Sequence, residues 1–367
     1  MLRRRSLLRL APPAAAGFAL GAEYAGRSAL AQSPPAIAEI YPGERDLRAL
    51  AAPEGIVVSL NTGGAEANWP AQLVAFRRRY PEIEIVTNEL GSAATVMALD
   101  RARARPVADT AFAFAASAAE AAKRGLIAAY RPAPAENLPP AFHHPEHLWT
   151  AVHARAVAFV INTKLVRSVP QDWDELLRPQ YKDSVVYLDP RTTGIGQLTC
   201  LAAAYATGGS FENVQPGLDY LRWLHKAGNV LRVLAAPPVA QFLRGEIPIW
   251  IAYEDEGLRL KIRDGLGDRV AVVLPREASI AAPYAMSLVK SAPNANAGRL
   301  WINFVMSAAS QMRFAEAFLR PAVPGLALPA PWGEILPAAA QLRPLDVVKA
   351  AARKAEIDAG WLQATRP

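Results

Sequence analysis

The sequence predicts an α/β architecture built as two successive units, each a mostly parallel sheet flanked by helices. Three observations point there. Short continuous apolar runs alternate with segments of helical period, which is the pattern of strands buried on both faces by crossover helices. The alternation runs through the chain twice, and 367 residues leave room for two units at about 150 residues per domain. Hydrophobic residues make up 52% and charged residues 20%, a balance that folds around a core and excludes a largely disordered chain.

The elements follow in order. Residues 32–53 are Pro-rich with no periodicity and read as a linker. Ile56 to Leu60 is a short apolar strand leading into Thr62-Gly63-Gly64. Trp69, Leu73 and Phe76 recur at helical spacing over residues 67–80, and Pro81 stops that helix. A second strand, Ile83 to Thr87, ends at Gly91-Ser92 and is followed by a helix over residues 93–103. Asp109 to Phe114 is a third strand, and a helix over residues 118–124 is closed by Gly125.

The second unit begins with a strand over residues 152–160 that leads into Asn162-Thr163-Lys164, and Trp173 to Leu177 is a short helix. Ser184 to Leu188 is a strand ending at Asp189-Pro190-Arg191-Thr192-Thr193-Gly194, with helices expected over 196–205 and 211–226. Ile247 to Ala252 is a strand ending at Tyr253-Glu254-Asp255, with a helix to Arg263. Strands at 270–274 and 285–289 and helices at 299–305, 308–319 and 346–359 complete the chain, with no internal repeat.

The first 31 residues read as a cleaved export signal. Arg3, Arg4 and Arg5 precede an apolar stretch, and Ala29-Leu30-Ala31 is a small-residue cleavage site before Gln32. The Arg4-Arg5 pair leaves the Sec and twin-arginine routes both open. The segment carries five arginines and one glutamate, so the net charge of +7 falls to near +3 once it is removed. That excess is too small and too dispersed for a nucleic-acid partner. The densest basic run, Arg101, Arg103 and Arg105, alternates with alanine and reads as a solvated face. No apolar run after residue 30 is long enough to span a bilayer, and the single cysteine, Cys200, excludes an intrachain disulfide framework or a multi-cysteine metal site.

Several segments in this order carry a family likeness: Thr62-Gly63-Gly64, Tyr80-Pro81-Glu82, Ala158 through Val166, Pro170 through Leu176, Asp189 through Gly194, Arg244 through Pro248, Ala252 through Asp255, and Ala282-Pro283-Tyr284. With the export signal, the chain resembles the periplasmic solute-binding proteins of ABC importers, in the type II class that includes ferric-ion, polyamine and phosphonate binders. The resemblance implies a two-lobed fold with the ligand cleft between lobes, a small-molecule ligand, and an inner-membrane ABC permease and ATPase as partners. It implies a monomer in the periplasm, without cofactor or catalysis. The lobes would be 54–153 with 285–367, and 154–284.

Ligands of open α/β sheets bind beyond the carboxyl ends of strands, where helix N-termini offer free amides and a partial positive charge. Thr62, Gly63, Gly64, Gly91, Ser92, Arg191, Thr192, Thr193 and Gly194 sit at such turns and suit an anionic ligand bearing phosphate, phosphonate or carboxylate. Arg191 is expected to make a charge-assisted bond to it. Tyr253, Glu254 and Asp255 end a strand and would instead suit a polyamine; ferric iron would call for adjacent tyrosines there, where only one stands. No metal site is expected.

An exported hydrolase is the remaining alternative, and its motifs fail on context. His143-His144-Pro145-Glu146-His147 spells H-x-x-E-H, yet Pro139, Pro140 and Pro145 oppose the helix that motif needs. Ser287-Leu288-Val289-Lys290 spells S-x-x-K inside an apolar strand. Neither G-x-S-x-G nor a phosphate-binding G-x-x-x-x-G-K-[ST] occurs, and Cys200 lies in an apolar helix as a core residue.

Overall fold

The computed structural model describes residues 38–64, 66–337 and 342–365. The expected export signal and the first residues of the expected linker lie outside them.

The strands are β1 (Ile56–Leu60), β2 (Glu84–Thr87), β3 (Thr110–Phe114), β4 (Ile127–Ala128), β5 (Thr150–Asn162), β6 (Val185–Leu188), β7 (Val230–Leu234), β8 (Ile249–Tyr253), β9 (Val270–Val273), β10 (Ser279–Val289), β11 (Arg320–Pro321) and β12 (Leu342–Pro344). They hydrogen-bond in the order β2-β1-β3-β10-β5-β8-β6-β7, with β4 and β12 on β10, and β9 and β11 on β5. Pairing is parallel within β2-β1-β3 and within β8-β6-β7, the two units expected from the alternating pattern. Two long strands join them in antiparallel fashion. The first half of β5, through Ala156, pairs with β10, and from Val157 onward it pairs with β8 and β9. One strand therefore belongs to both sheets, and almost all of it is buried, as its near-continuous apolar sequence requires.

The helices are α1 (Glu44–Ala51), α2 (Trp69–Arg79), α3 (Ser92–Arg101), α4 (Ala115–Lys123), α5 (Gly194–Ala206), α6 (Gln215–Lys226), α7 (Val239–Leu243), α8 (Glu254–Leu258), α9 (Ala295–Met306), α10 (Ala308–Glu316), α11 (Trp332–Ile335), α12 (Val347–Ala352) and α13 (Lys354–Ala364). On α2 the helically spaced Trp69, Leu73 and Phe76 are buried, and Trp69 and Phe76 pack edge-on to rings from β3, α9 and α10. The tightest helix contact is α5 on α6. A Cβ on Gly217 would stand 2.3 Å from the Cys200 carbonyl, so only glycine lets the backbones approach this closely.

Three expectations change. The stretch read as a linker contains α1, because Glu44 is a buried carboxylate: it accepts from Arg79, from the Tyr80 hydroxyl at 2.5 Å and from the Ile40 amide at 2.8 Å. The single helix expected over 346–359 is two, broken at Arg353, with Asp346 capping the first through the Lys349 amide. The second of these packs on α5 and α6 rather than with the first sheet, because the Trp361 indole donates to the Tyr187 hydroxyl of β6 at 2.8 Å and is buried there. The H-x-x-E-H segment is a loop that follows the short 3-10 helix Pro140–Phe142, and in it the His143 and His147 rings stack at 5.2 Å. Cys200 is fully buried, which pushes its thiol far above the usual range.

Candidate functional site

In β5 the apolar run is interrupted at alternate positions by His153 and Arg155, which a strand's two-residue period sends to the same face. Tyr284 of β10 lies directly opposite His153 in the register, and their rings stack at 5.3 Å and 15°. Tyr253 closes β8 opposite Val157, bringing its hydroxyl to 3.4 Å from that of Tyr284. The Arg155 guanidinium stands 3.9 Å from the Tyr253 ring centroid and grips Asp255 in a fork, Nε at 2.9 Å and Nη2 at 2.7 Å. Glu256 is 3.8 Å from the same guanidinium and accepts from the Tyr253 amide at 3.1 Å.

These groups floor a cavity of about 400 Å³, walled on one side by Thr193, Gly194 and Ile195 at the start of α5 and on another by Arg259 and Arg263. The α5 start is fixed tightly. The Thr193 hydroxyl accepts from the Gly196 amide at 3.1 Å and donates to the Asp189 carbonyl at 2.8 Å. A Cβ on Gly196 would meet the Leu188 carbonyl at 2.4 Å, so the helix tucks against the end of β6 only because that residue is glycine. The amides of Gly194 and Ile195, in the first turn, have no partner within the helix.

The electrostatics are set by burial. Burial opposes the Arg155 charge, but Asp255 and Glu256 overcome it and hold the guanidinium above its usual range. Burial lifts Glu256 to about 7, against the pull of Arg155. His153 is held neutral, first by burial and then by the neighbouring Arg155, and neither ring nitrogen has a hydrogen-bond partner among the described residues. Burial likewise raises the Tyr253 hydroxyl well above its ordinary value.

Of the residues singled out in the sequence, Thr193, Gly194, Tyr253 and Asp255 line this cavity. Thr192 lies beside it, exposed. Arg191 does not enter it. Its own neighbour Asp189 captures the guanidinium at 2.5 Å and the backbone amide at 2.8 Å, and the side chain lies 4.8 Å from the Trp361 ring centroid. Glu254 is buried and bound in a fork by Arg320 at 2.8 and 2.9 Å, tying α8 to β11. Thr62, Gly63, Gly64, Gly91 and Ser92 are not in its lining; the Gly63 amide donates to the Asn88 carbonyl at 2.8 Å, the Gly91 amide to Asn61 at 2.8 Å, and Ser92 accepts from the Phe114 amide at 2.8 Å. We expect Arg191→Ala to change solute affinity by less than about twofold, since an ion pair open to water contributes little; calorimetry checks this, and a larger loss would return Arg191 to the site.

The decisive residues that the turns did not reveal are Arg155, His153, Tyr284 and Glu256. The available signal was an arginine and a histidine two apart inside an otherwise apolar strand.

Residues 108–339, more than half of the chain, match the family model of the bacterial extracellular solute-binding proteins. The chain belongs to that family. Among relatives of this solute-binding protein, a Salmonella typhimurium protein provisionally named a 2-aminoethylphosphonate-binding periplasmic protein is 26% identical over 236 residues, covering 62% of this chain and 66% of that protein. The chain thus spans just under two thirds of that relative's length. The fold is that of type II periplasmic binding proteins. AfuA from Actinobacillus pleuropneumoniae, solved with fructose-6-phosphate, superposes with a TM-score of 0.68 at 18% identity, covering 84% of this chain and 98% of that one. The ferric binding protein from Campylobacter jejuni gives 0.69 at 15%, covering 84% and 99%. The polyamine binder PotD from Streptococcus pneumoniae gives 0.68 at 17%, covering 85% and 99%. These solved neighbours establish the fold and leave the solute to the cavity's chemistry.

Proposed function

We propose that the chain is an exported periplasmic receptor that captures a small anionic solute between two lobes and hands it unaltered to an inner-membrane ABC permease and its ATPase. The observation that carries the reading is the charge balance of the cavity. Arg155, Arg263, the start of α5 and Arg259, itself 3.7 Å from Asp264, face two carboxylates, Asp255 and Glu256, and burial opposes the charge of the second. A solute with phosphate, phosphonate or carboxylate groups complements that surplus. A polyamine does not, because Glu254 and Asp255 already hold Arg320 and Arg155. The paired hydroxyls of Tyr253 and Tyr284 favour ferric iron as the second reading.

We place the division between lobes where β5 changes partners, from β10 through Ala156 to β8 from Val157. Closure about β5 and β10 would bring both lobes onto the solute. Calorimetry with 2-aminoethylphosphonate, a hexose phosphate, spermidine and ferric citrate, paired with small-angle scattering, tests the proposal. We expect a phosphorus-bearing anion to bind and to lower the radius of gyration. A coloured ferric complex without anion binding would shift the reading to iron, and binding of spermidine alone would overturn it.

A further inference from the structure

A second hollow, of about 770 Å³, lies under α3 and shares no residue with the cleft. Its floor is apolar and firmly packed: Leu60, Leu99, Leu126 and Val289 are each at most 8% exposed. Alongside Leu99, α3 and the residue that follows it contribute only the methyl groups of Ala98 and Ala102, which leaves room that larger side chains would fill. The mouth is marked by Leu90 and Val107, 39% and 65% exposed. An apolar hollow that continues onto exposed apolar side chains is the kind of surface that proteins reserve for a ligand.

The rim gives the sign of that ligand. Arg103, Arg124 and Lys290 line the hollow, and Arg101 and Arg105 stand exposed on the same segment. Arg103 lies 3.0 Å and Arg124 3.5 Å from Asp100, and Arg124 also pairs with Glu120 at 2.7 Å, while Lys290 has neither an ion pair nor a side-chain hydrogen bond among the described residues. Three cations thus line the hollow; Asp100 and Glu120 pair with its two arginines, and Lys290 is left over. We propose that this hollow is a second ligand site for a free amphipathic anion, an aliphatic chain bearing one carboxylate, whose chain lies on Leu60, Leu99, Leu126 and Val289 and whose head meets Lys290. The hollow is within the size range of small-molecule pockets, and the site requires no chemistry on the ligand. Of the alternating arginines that the sequence offers as a solvated face, Arg103 stands at the lip of this pocket.

The probe is decanoate, followed by calorimetry against the full-length mature protein. We expect one-to-one binding, at least tenfold weaker binding of decanol and none of decyltrimethylammonium. Ala102→Trp, which fills the hollow, should abolish the heat; Lys290→Glu, at an exposed position where the fold is safe, should weaken binding about fivefold or more, the scale of a partly screened charge pair reversed. Arg155→Ala should leave decanoate binding intact, which separates this pocket from the cleft. Absence of binding, or binding unchanged by both Ala102→Trp and Lys290→Glu, overturns the proposal. Sedimentation with anionic phosphatidylglycerol vesicles in the absence of decanoate binding also overturns it, since the basic lip would then serve a membrane surface.

Discussion

Arg155→Ala is expected to lower the stability of the unliganded protein by roughly 3–5 kcal/mol and to abolish solute binding. The side chains of Arg155 and Asp255 are each 13% exposed, so the guanidinium is the main charge that Asp255 has in place of water. Removing it leaves Asp255 and Glu256 side by side at the start of α8 with no cation in hydrogen-bond reach among the described residues. It also strips the Tyr253 ring of the cation stacked on it. Breaking one partner of a buried pair costs more than the pair contributes, because the orphaned charge stays desolvated. Urea denaturation measures the first effect and calorimetry the second. Arg155→Lys should recover part of the stability but not the binding, since an ammonium cannot reproduce the fork to Asp255. A stability within 1 kcal/mol of wild type would show that water reaches Asp255 and that the pair is not what fixes the cavity floor.

The second large effect is on pH. Glu256 has its carboxyl lifted by burial from an ordinary 4.5 to about 7. Between those two values the folded state holds a proton that the unfolded chain has released, so stability falls as pH rises from about 4.5 to about 7 and is flat above that. The full span is at most about 3 kcal/mol. Glu256→Gln keeps an acceptor for the Tyr253 amide and removes the titration. The variant should therefore match wild type near pH 4.5 and grow progressively more stable than it towards pH 8, read as a widening gap between melting temperatures. Parallel melting profiles across that range would mean that Glu256 is ionised throughout and that Arg155 fully compensates it. The same proton adds one positive charge to the cavity as pH falls through 7, so a non-titrating anion such as a sulfonate should bind more tightly on the acid side.

Much of the fold was legible because its signals are local and redundant. The runs Ile56 to Leu60 and Ser184 to Leu188 are apolar without alternation, as strands covered on both faces must be, and Trp69, Leu73 and Phe76 state a helix face outright. The elements that escaped are those whose reason lies far away in sequence. Helix α1 is held by Glu44 reaching residues some 35 positions on, and β11 and β12 are three residues or fewer, defined only by the long strands they meet.

The site divides the same way. The α5 start was visible as a Thr-Gly turn, whereas the floor is assembled from alternate residues of two long strands whose register no local pattern encodes. Arg191 shows the opposite error. A basic residue at a promising turn is claimed by an aspartate two positions earlier, and spacing alone does not tell a ligand's partner from a neighbour's.

The C-terminal segment gives the two halves a third connection besides β5 and β10. Strand β12 is registered on β10, α12 lies on α4 of the first unit, and α13 is anchored to α5 and α6 of the second through Trp361. The proposed rotation of one sheet against the other would carry α13 with one body and α12 with the other, and the twist would fall at Arg353, the single residue between them. Under the proposed closure the segment would act as a torsion spring in parallel with β5 and β10: its stiffness would add to theirs, and the angle at which it is relaxed would bias where the two bodies come to rest.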